Sequence, residues 1–288
     1  MAQLLALNIY KLKKNKIFIF GIFITIICAI IPLIYRFHST GTKNSDFKYL
    51  SAQNTTLIPL FIILMISTLL ISILIGRDYS YGTIRNLFLA GHTRFEIYFA
   101  NLITYCLSTV MLFLLFNFTT SLTHSLFYNG SIVISSEEII SICVQCISLI
   151  CFSSIQVLFA MTIQNKYISR ITLISLTLFM LFFAPSSANA LNEPQHFTNH
   201  AIVYESNEKN FEQYGTFKEE NPKYISGIKR VIFEQLDNAL PLNQIYKFYN
   251  PNRTPKTIKL ASIIPYSLLF TFSINILGIH IFAKKDIK

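Results

Sequence analysis

Apolar residues in this chain come in long unbroken runs. They show neither the alternation of a half-buried strand nor the one-in-three spacing of a helix with a wet face. Six runs reach the ~20 residues a helix needs to cross a hydrocarbon layer of ~30 Å. They cover residues 17–35, 57–76, 97–117, 139–161, 167–184 and 261–282. The fifth is the weakest, because Arg170 trims its start and Pro185 is expected to stop it. Strands of a membrane barrel would alternate over ~10 residues, so these runs predict helices. Two S/T-x-x-E capping boxes agree. Thr93-Arg94-Phe95-Glu96 and Ser135-Ser136-Glu137-Glu138 each stand just before an apolar run. The expected fold is an all-α integral membrane protein with six transmembrane helices.

Composition supports this. Of 288 residues, 52% are hydrophobic and only 13% charged, against roughly a quarter charged in a soluble domain. That excludes a disordered chain and an ordinary soluble one. The 24 Lys and Arg against 14 Asp and Glu leave +10, which taken alone points to an anionic partner such as nucleic acid or a lipid surface. Placement along the chain decides between them. With both termini cytoplasmic, the inner segments hold 12 cations and the short outer loops hold 3, the asymmetry of the positive-inside rule. Net charge is then about +9 inside and +1 outside. The excess orients the chain N-in and C-in among membrane lipids, and no nucleic-acid partner is expected. The first run, although preceded by the basic stretch 11–16, is longer than a signal-peptide core and lacks a small-x-small site after it. It is read as a retained helix.

Candidate chemistry is sparse. All five cysteines fall inside the runs; Cys143 and Cys146 have CxxC spacing, but no second pair accompanies them, and at lipid depth Cys serves as a small apolar residue. No Asp or Glu lies in the core of a run, which disfavours a transporter with its own ion coupling. The sequence holds no G-x-x-x-x-G-K-[ST] phosphate loop, no H-E-x-x-H and no G-x-S-x-G. His196 and His200 have the i, i+4 spacing of a helical metal pair, but no third ligand can be assigned. No catalytic or metal-binding residue is expected, and energy for any transport must come from another chain.

The informative segment joins the second and third runs. Asp78 or Ser80 is placed to cap a short helix and Gly91 to end it. Between them Tyr81, Ile84, Leu87 and Phe88 share one face at i, i+3, i+4 spacing, and Arg85 points elsewhere. Such a helix fits either the groove of a partner protein or a lipid surface.

This segment resembles the first cytoplasmic loop of ABC-2 type transporter permeases, particularly small bacterial ones associated with peptide antibiotics. There an acidic residue, Gly-Thr-x-Arg, a short helix and Gly-x-x-Arg lead into the third span. The matching positions are Asp78, Gly82, Thr83, Arg85, Gly91 and Arg94. Leu240-Pro241-Leu242-Asn243-Gln244 is similar to a Leu-Pro-x-x-Gln segment before the family's last span. The family often has Glu near position 78 and Lys near Asn101, where this chain differs.

The resemblance implies a division of labour. Residues 78–91 would form a coupling helix seated on a separate ABC ATPase subunit, which would bind the ATP and Mg²⁺; this chain would hold no cofactor of its own. A second permease chain, identical or related, would complete the transporter. Residues 1–16 would form an elbow helix, with Leu5, Ile9 and Leu12 on one face and Lys11, Lys13, Lys14 and Lys16 near anionic headgroups. The remaining parts are then 17–184 with five spans, an outer segment at 185–260, and the last span with a cytoplasmic tail at 261–288. In the outer segment 186–220 is polar without a clear period, whereas Ile225, Ile228, Val231, Ile232 and Leu236 make a helical stripe. The expected function is export of, or immunity to, a hydrophobic or amphipathic peptide at the bacterial cell membrane. The alternative is a non-transporting scaffold or sensor that binds a cytoplasmic partner through the same loop.

Overall fold

The computed structural model describes residues 1–40, 57–127, 136–203, 213–249 and 260–285. A helix satisfies its own backbone polar groups, and in lipid nothing else can, so each apolar run becomes one continuous helix. After a short α1 (Ala2–Lys14) these are α2 (Lys16–Thr40), α3 (Leu57–Ser80), α5 (Arg94–Phe127), α6 (Ser136–Thr162), α7 (Lys166–Asn192) and α10 (Leu260–Lys284), with α4 (Thr83–Leu89) between α3 and α5. All six long helices are apolar enough to cross a membrane. At 34 residues α5 is about 51 Å long and must extend beyond the hydrocarbon layer.

One expectation fails here. Pro185 does not stop the fifth span; α7 runs through it to Asn192. Proline cannot donate to the carbonyl of Leu181 four residues earlier, and the serines after it add hydroxyl bonds nearby, Ser186 to the carbonyl of Phe182 at 2.8 Å and Ser187 to that of Ala184 at 3.1 Å. Burial of Ala184, Ser187 and Ala188 holds the extra turns in place.

The helices pack with α3, α5 and α6 innermost, 67% of the apolar window of α3 being buried against 17% for α10. α2 lies along α5 and α3, α7 along α3, and α10 along α6. Polar residues at depth join helices. Thr68 and Thr177 share a hydroxyl bond of 2.9 Å, Gln156 donates to Thr177 at 3.0 Å, Ser153 to Thr109 at 3.1 Å, and Asn275 to Ser154 at 3.2 Å. The N-terminus and the C-terminal end of α10 stand at one end of the bundle, with α1, α4 and the α6–α7 turn.

At the other end lie strands β1 (His196–Val203) and β2 (Gln213–Glu220), paired antiparallel, then α8 (Gly227–Ala239) and α9 (Pro241–Tyr249). The stretch from 186 to 220, polar and without a clear period in the sequence, therefore holds the end of α7 and, among its described residues, these two paired strands. His196 and His200 sit on β1, opposite Glu220 and Thr216. Four residues of strand span about 13 Å, so they are not the helical pair their spacing resembles. The predicted stripe of α8 exists, but Ile228, Val231, Ile232 and Leu236 face outward. It is Phe233 that packs inward, its ring 6.1 Å from that of Phe183.

α9 is buried on all sides. Its proline stands at the first helical position, where no donor is missed. Gln244 pins it to two spans, its side-chain oxygen accepting from Ser148 of α6 at 2.8 Å and Ser267 of α10 at 2.7 Å.

Candidate partner-binding loop

The loop between α3 and α5 is rigid by construction. α3 does not end at Gly76 but continues through Arg77, Asp78 and Tyr79 to Ser80. Neither expected cap acts as one: the Ser80 hydroxyl bonds back to the carbonyl of Gly76 at 2.9 Å, and Asp78 is ion-paired to Lys11 at 2.8 Å. The break comes at Gly82, whose φ of 67° lies in the left-handed region that glycine enters freely. Thr83 then starts α4.

Gly91 ends the helix as its position predicts, with φ 87°. The amide of Gly91 bonds to the carbonyl of Phe88 at 2.9 Å and that of His92 to Leu87 at 3.1 Å, the paired closure of a Schellman motif. The capping box follows at once. Glu96 donates its amide to the Thr93 hydroxyl at 3.2 Å, and Thr93 donates its amide to the Glu96 carboxylate at 3.1 Å. The second box begins at Ser135, which lies outside the described residues.

The predicted apolar face divides. Ile84 is buried, and Leu87 and Phe88 are half-buried against the core of the same end. Tyr81, placed on that face by spacing, sits in the turn before α4 and points out, 77% exposed; Leu89 is 79% exposed. Arg85, Asn86 and Ala90 are exposed beside them. The outward edge of α4 is thus Tyr81, Arg85, Asn86, Leu89 and Ala90, a set that overlaps the predicted residues only at Tyr81 and Arg85.

The far side of the loop is bolted to α1. Besides the Lys11–Asp78 pair, Asn8 donates to Asn101 at 2.9 Å, and the amino group of Met1 lies 3.3 Å from Glu96. The inward side of α1 is therefore Leu4, Asn8, Lys11 and Leu12, whereas Ile9 is exposed and Leu5 only half-buried. Lys11 faces a carboxylate and not lipid headgroups. The cavity among α1, α3, α4 and α5 measures about 10 Å³, room for one water. Arg94 is not on the outward edge. It donates to the carbonyls of Phe282 in α10, at 3.0 Å, and of Lys285 just past its end.

Six helices long and apolar enough to cross a membrane, with one short, braced helix on the loop between the second and third of them, define a multi-pass membrane protein. The sequence identifies which kind. Residues 4–184 match the family described as ABC-2 family transporter protein, and the chain belongs to that family. No curated protein matches it. Membership makes the chain the permease subunit of an ABC transporter, a transport component and not itself a catalyst, and implies association with an ABC ATPase subunit. Of the two functions weighed from sequence, it favours transport over a scaffold. The hairpin, α8, α9 and α10 lie beyond the matched residues.

Proposed function

We propose that the chain is the permease of an exporter whose ATPase subunit seats on the outward edge of α4. The end bearing the N-terminus is then cytoplasmic, in line with the charge asymmetry. The observation that carries the reading is the exposure of Leu89 on α4 and of Tyr81 in the turn before it, beside a helix whose other side is fixed. An exposed tyrosine and arginine are the residue types that dominate binding energy at protein interfaces, and an exposed leucine on the helix is an apolar anchor for a groove. A braced helix also moves its neighbours when pushed, because packed cores transmit displacement instead of absorbing it.

Closure of two ATPase subunits on ATP would press on α4 and shift α3 and α5, with ATP and Mg²⁺ held by those subunits. Two permease chains, identical or related, would form the pathway. The substrate would be a hydrophobic or amphipathic peptide leaving the bacterial cell or its membrane, a choice that rests on the resemblance of residues 78–94 to permeases associated with peptide antibiotics. The hairpin, α8 and α9 would form an extracytoplasmic cap over the exit.

The test is co-purification from cells expressing the permease with its ATPase. Leu89→Glu and Tyr81→Glu should each abolish capture of the ATPase while the permease itself purifies with unchanged thermal stability. Retention of the ATPase by both variants would overturn the docking assignment.

A further inference from the structure

The loop helix has a tie to the last span that its place in the sequence does not announce. Arg94, in the first turn of α5, uses one guanidinium nitrogen to reach the backbone carbonyls of Phe282 and Lys285 at the C-terminal end of α10. The last carbonyls of a helix lack intrahelical donors, and a cation there also suits the negative end of the helix dipole. The same guanidinium stands 5.5 Å from the ring centre of Phe88 in α4. Phe88 in turn lies 6.4 Å from the ring of Phe282, which is fully buried and 6.3 Å from Tyr98 of α5. One turn earlier in α10, Gly278 passes so close that a Cβ there would come within 2.2 Å of the Tyr98 hydroxyl. α10 exposes more of its surface than any other span, yet at this end one charged group and two rings fasten it to α4 and α5.

We infer that Arg94 is a positioning residue that joins α4 to α10, so that a displacement of α4 reaches the last span as well as α3 and α5. The inference rests on the reading of α4 as the helix the ATPase moves. A guanidinium suits the task because a single nitrogen serves both carbonyls while its delocalised charge stands over the Phe88 ring. α4 and α10 are far apart in the chain, and no covalent path between them is short enough to move them together.

The tie itself is tested on the permease alone, in lipid nanodiscs, by amide hydrogen exchange. Arg94→Ala should raise exchange about tenfold, the effect of losing charge-assisted hydrogen bonds, both in the last turn of α10 and in α4. Phe88→Leu keeps the carbonyl bonds and should also loosen the end of α10; Arg94→Lys should fall between wild type and Arg94→Ala. If Arg94→Ala loosens α10 and leaves α4 as it was, or loosens neither, the inference fails.

Transmission is tested in the complex with the ATPase, using spin labels at Ile168→Cys and Lys284→Cys after replacement of the native cysteines. In wild type the distance between them should change on trapping ATP. In Arg94→Ala, with the ATPase still bound, the change should disappear. An unchanged response in Arg94→Ala overturns the relay. Failure of the wild-type permease to bind the ATPase would instead sink the docking assignment, and the exchange experiment would still decide the tie.

Discussion

Removing one member of the buried ion pair in the outer cap should open that cap without disturbing the spans. Lys247 of α9 lies 2.9 Å from the carboxylate of Asp237 in α8, and each side chain is 6% exposed. The ammonium also donates to the side chain of Asn238 at 2.7 Å, and the carboxylate accepts from Asn243 at 3.3 Å, which bonds Ser187 of α7 at 2.6 Å. Lys247→Met keeps the volume of the stem and leaves a buried carboxylate without its cation. Such a half-pair costs about 3–5 kcal/mol. Replacing both, in Asp237→Asn with Lys247→Met, removes both charges and should recover most of that loss, because desolvation of a buried pair offsets most of its attraction. The assay is tryptic cleavage at Lys229 and Arg230 within α8. Where opening is fast relative to cleavage, the rate follows the open population. Lys247→Met should then be cut roughly 150- to 5,000-fold faster than wild type, and the double variant far more slowly than Lys247→Met. Cleavage of Lys247→Met at the wild-type rate, or no recovery in the double variant, would refute the reasoning.

Two further predictions concern the fit of the spans and the loop. Gly278→Ala drives a Cβ into the buried Tyr98, an overpacking worth about 1–3 kcal/mol. It should lower the melting temperature followed by circular dichroism, and the drop that Gly278→Ala causes should be smaller in a Tyr98→Ala background than in wild type; an equal drop in both backgrounds would place the clash elsewhere. Thr93→Ala removes the acceptor for the Glu96 amide, a loss of about 0.5–2 kcal/mol in N-caps generally and here at the lower end because the site is exposed. Faster amide exchange confined to the first turn of α5 is the expected signal, and Glu96→Gln, which keeps the box, should leave that turn much as it is.

What could be read in the sequence follows from how local each determinant is. The six spans were legible because lipid demands long continuous apolar runs. The extension past Pro185 was not, since its support comes from two serines and from burial under α8 and α9. Gly91 and the Thr93 box mark the end of the loop helix and the start of α5 correctly, as each acts within four residues; the start was expected at Asp78 or Ser80, whereas the break falls at Gly82. Periodicity put Ile84, Leu87 and Phe88 on one face but could not say whether that face meets the body or a partner; a helix tied closely at both ends turns it to the body first. Tyr81 lies outside α4, so the helical period did not apply to it. Asp78 read as a cap of the short helix because a charge interrupts the apolar run, yet it lies inside α3, ion-paired to Lys11 67 positions away. Arg94 finds backbone carbonyls 188 and 191 positions away, and a carbonyl leaves no residue signature. The hairpin was missed because its strands alternate only weakly between apolar and polar residues.

The most direct test of the docking surface is a photoreactive side chain introduced at single positions of the permease in the complex with its ATPase. From position 89, at the outward edge of α4, irradiation should yield a covalent adduct with the ATPase subunit. From position 87, turned toward the core, and from position 20, exposed on the lipid-spanning α2, it should yield none. An adduct of equal strength from 87, or no adduct from 89 in a complex that co-purifies intact, would contradict the assignment of α4 as the ATPase's seat.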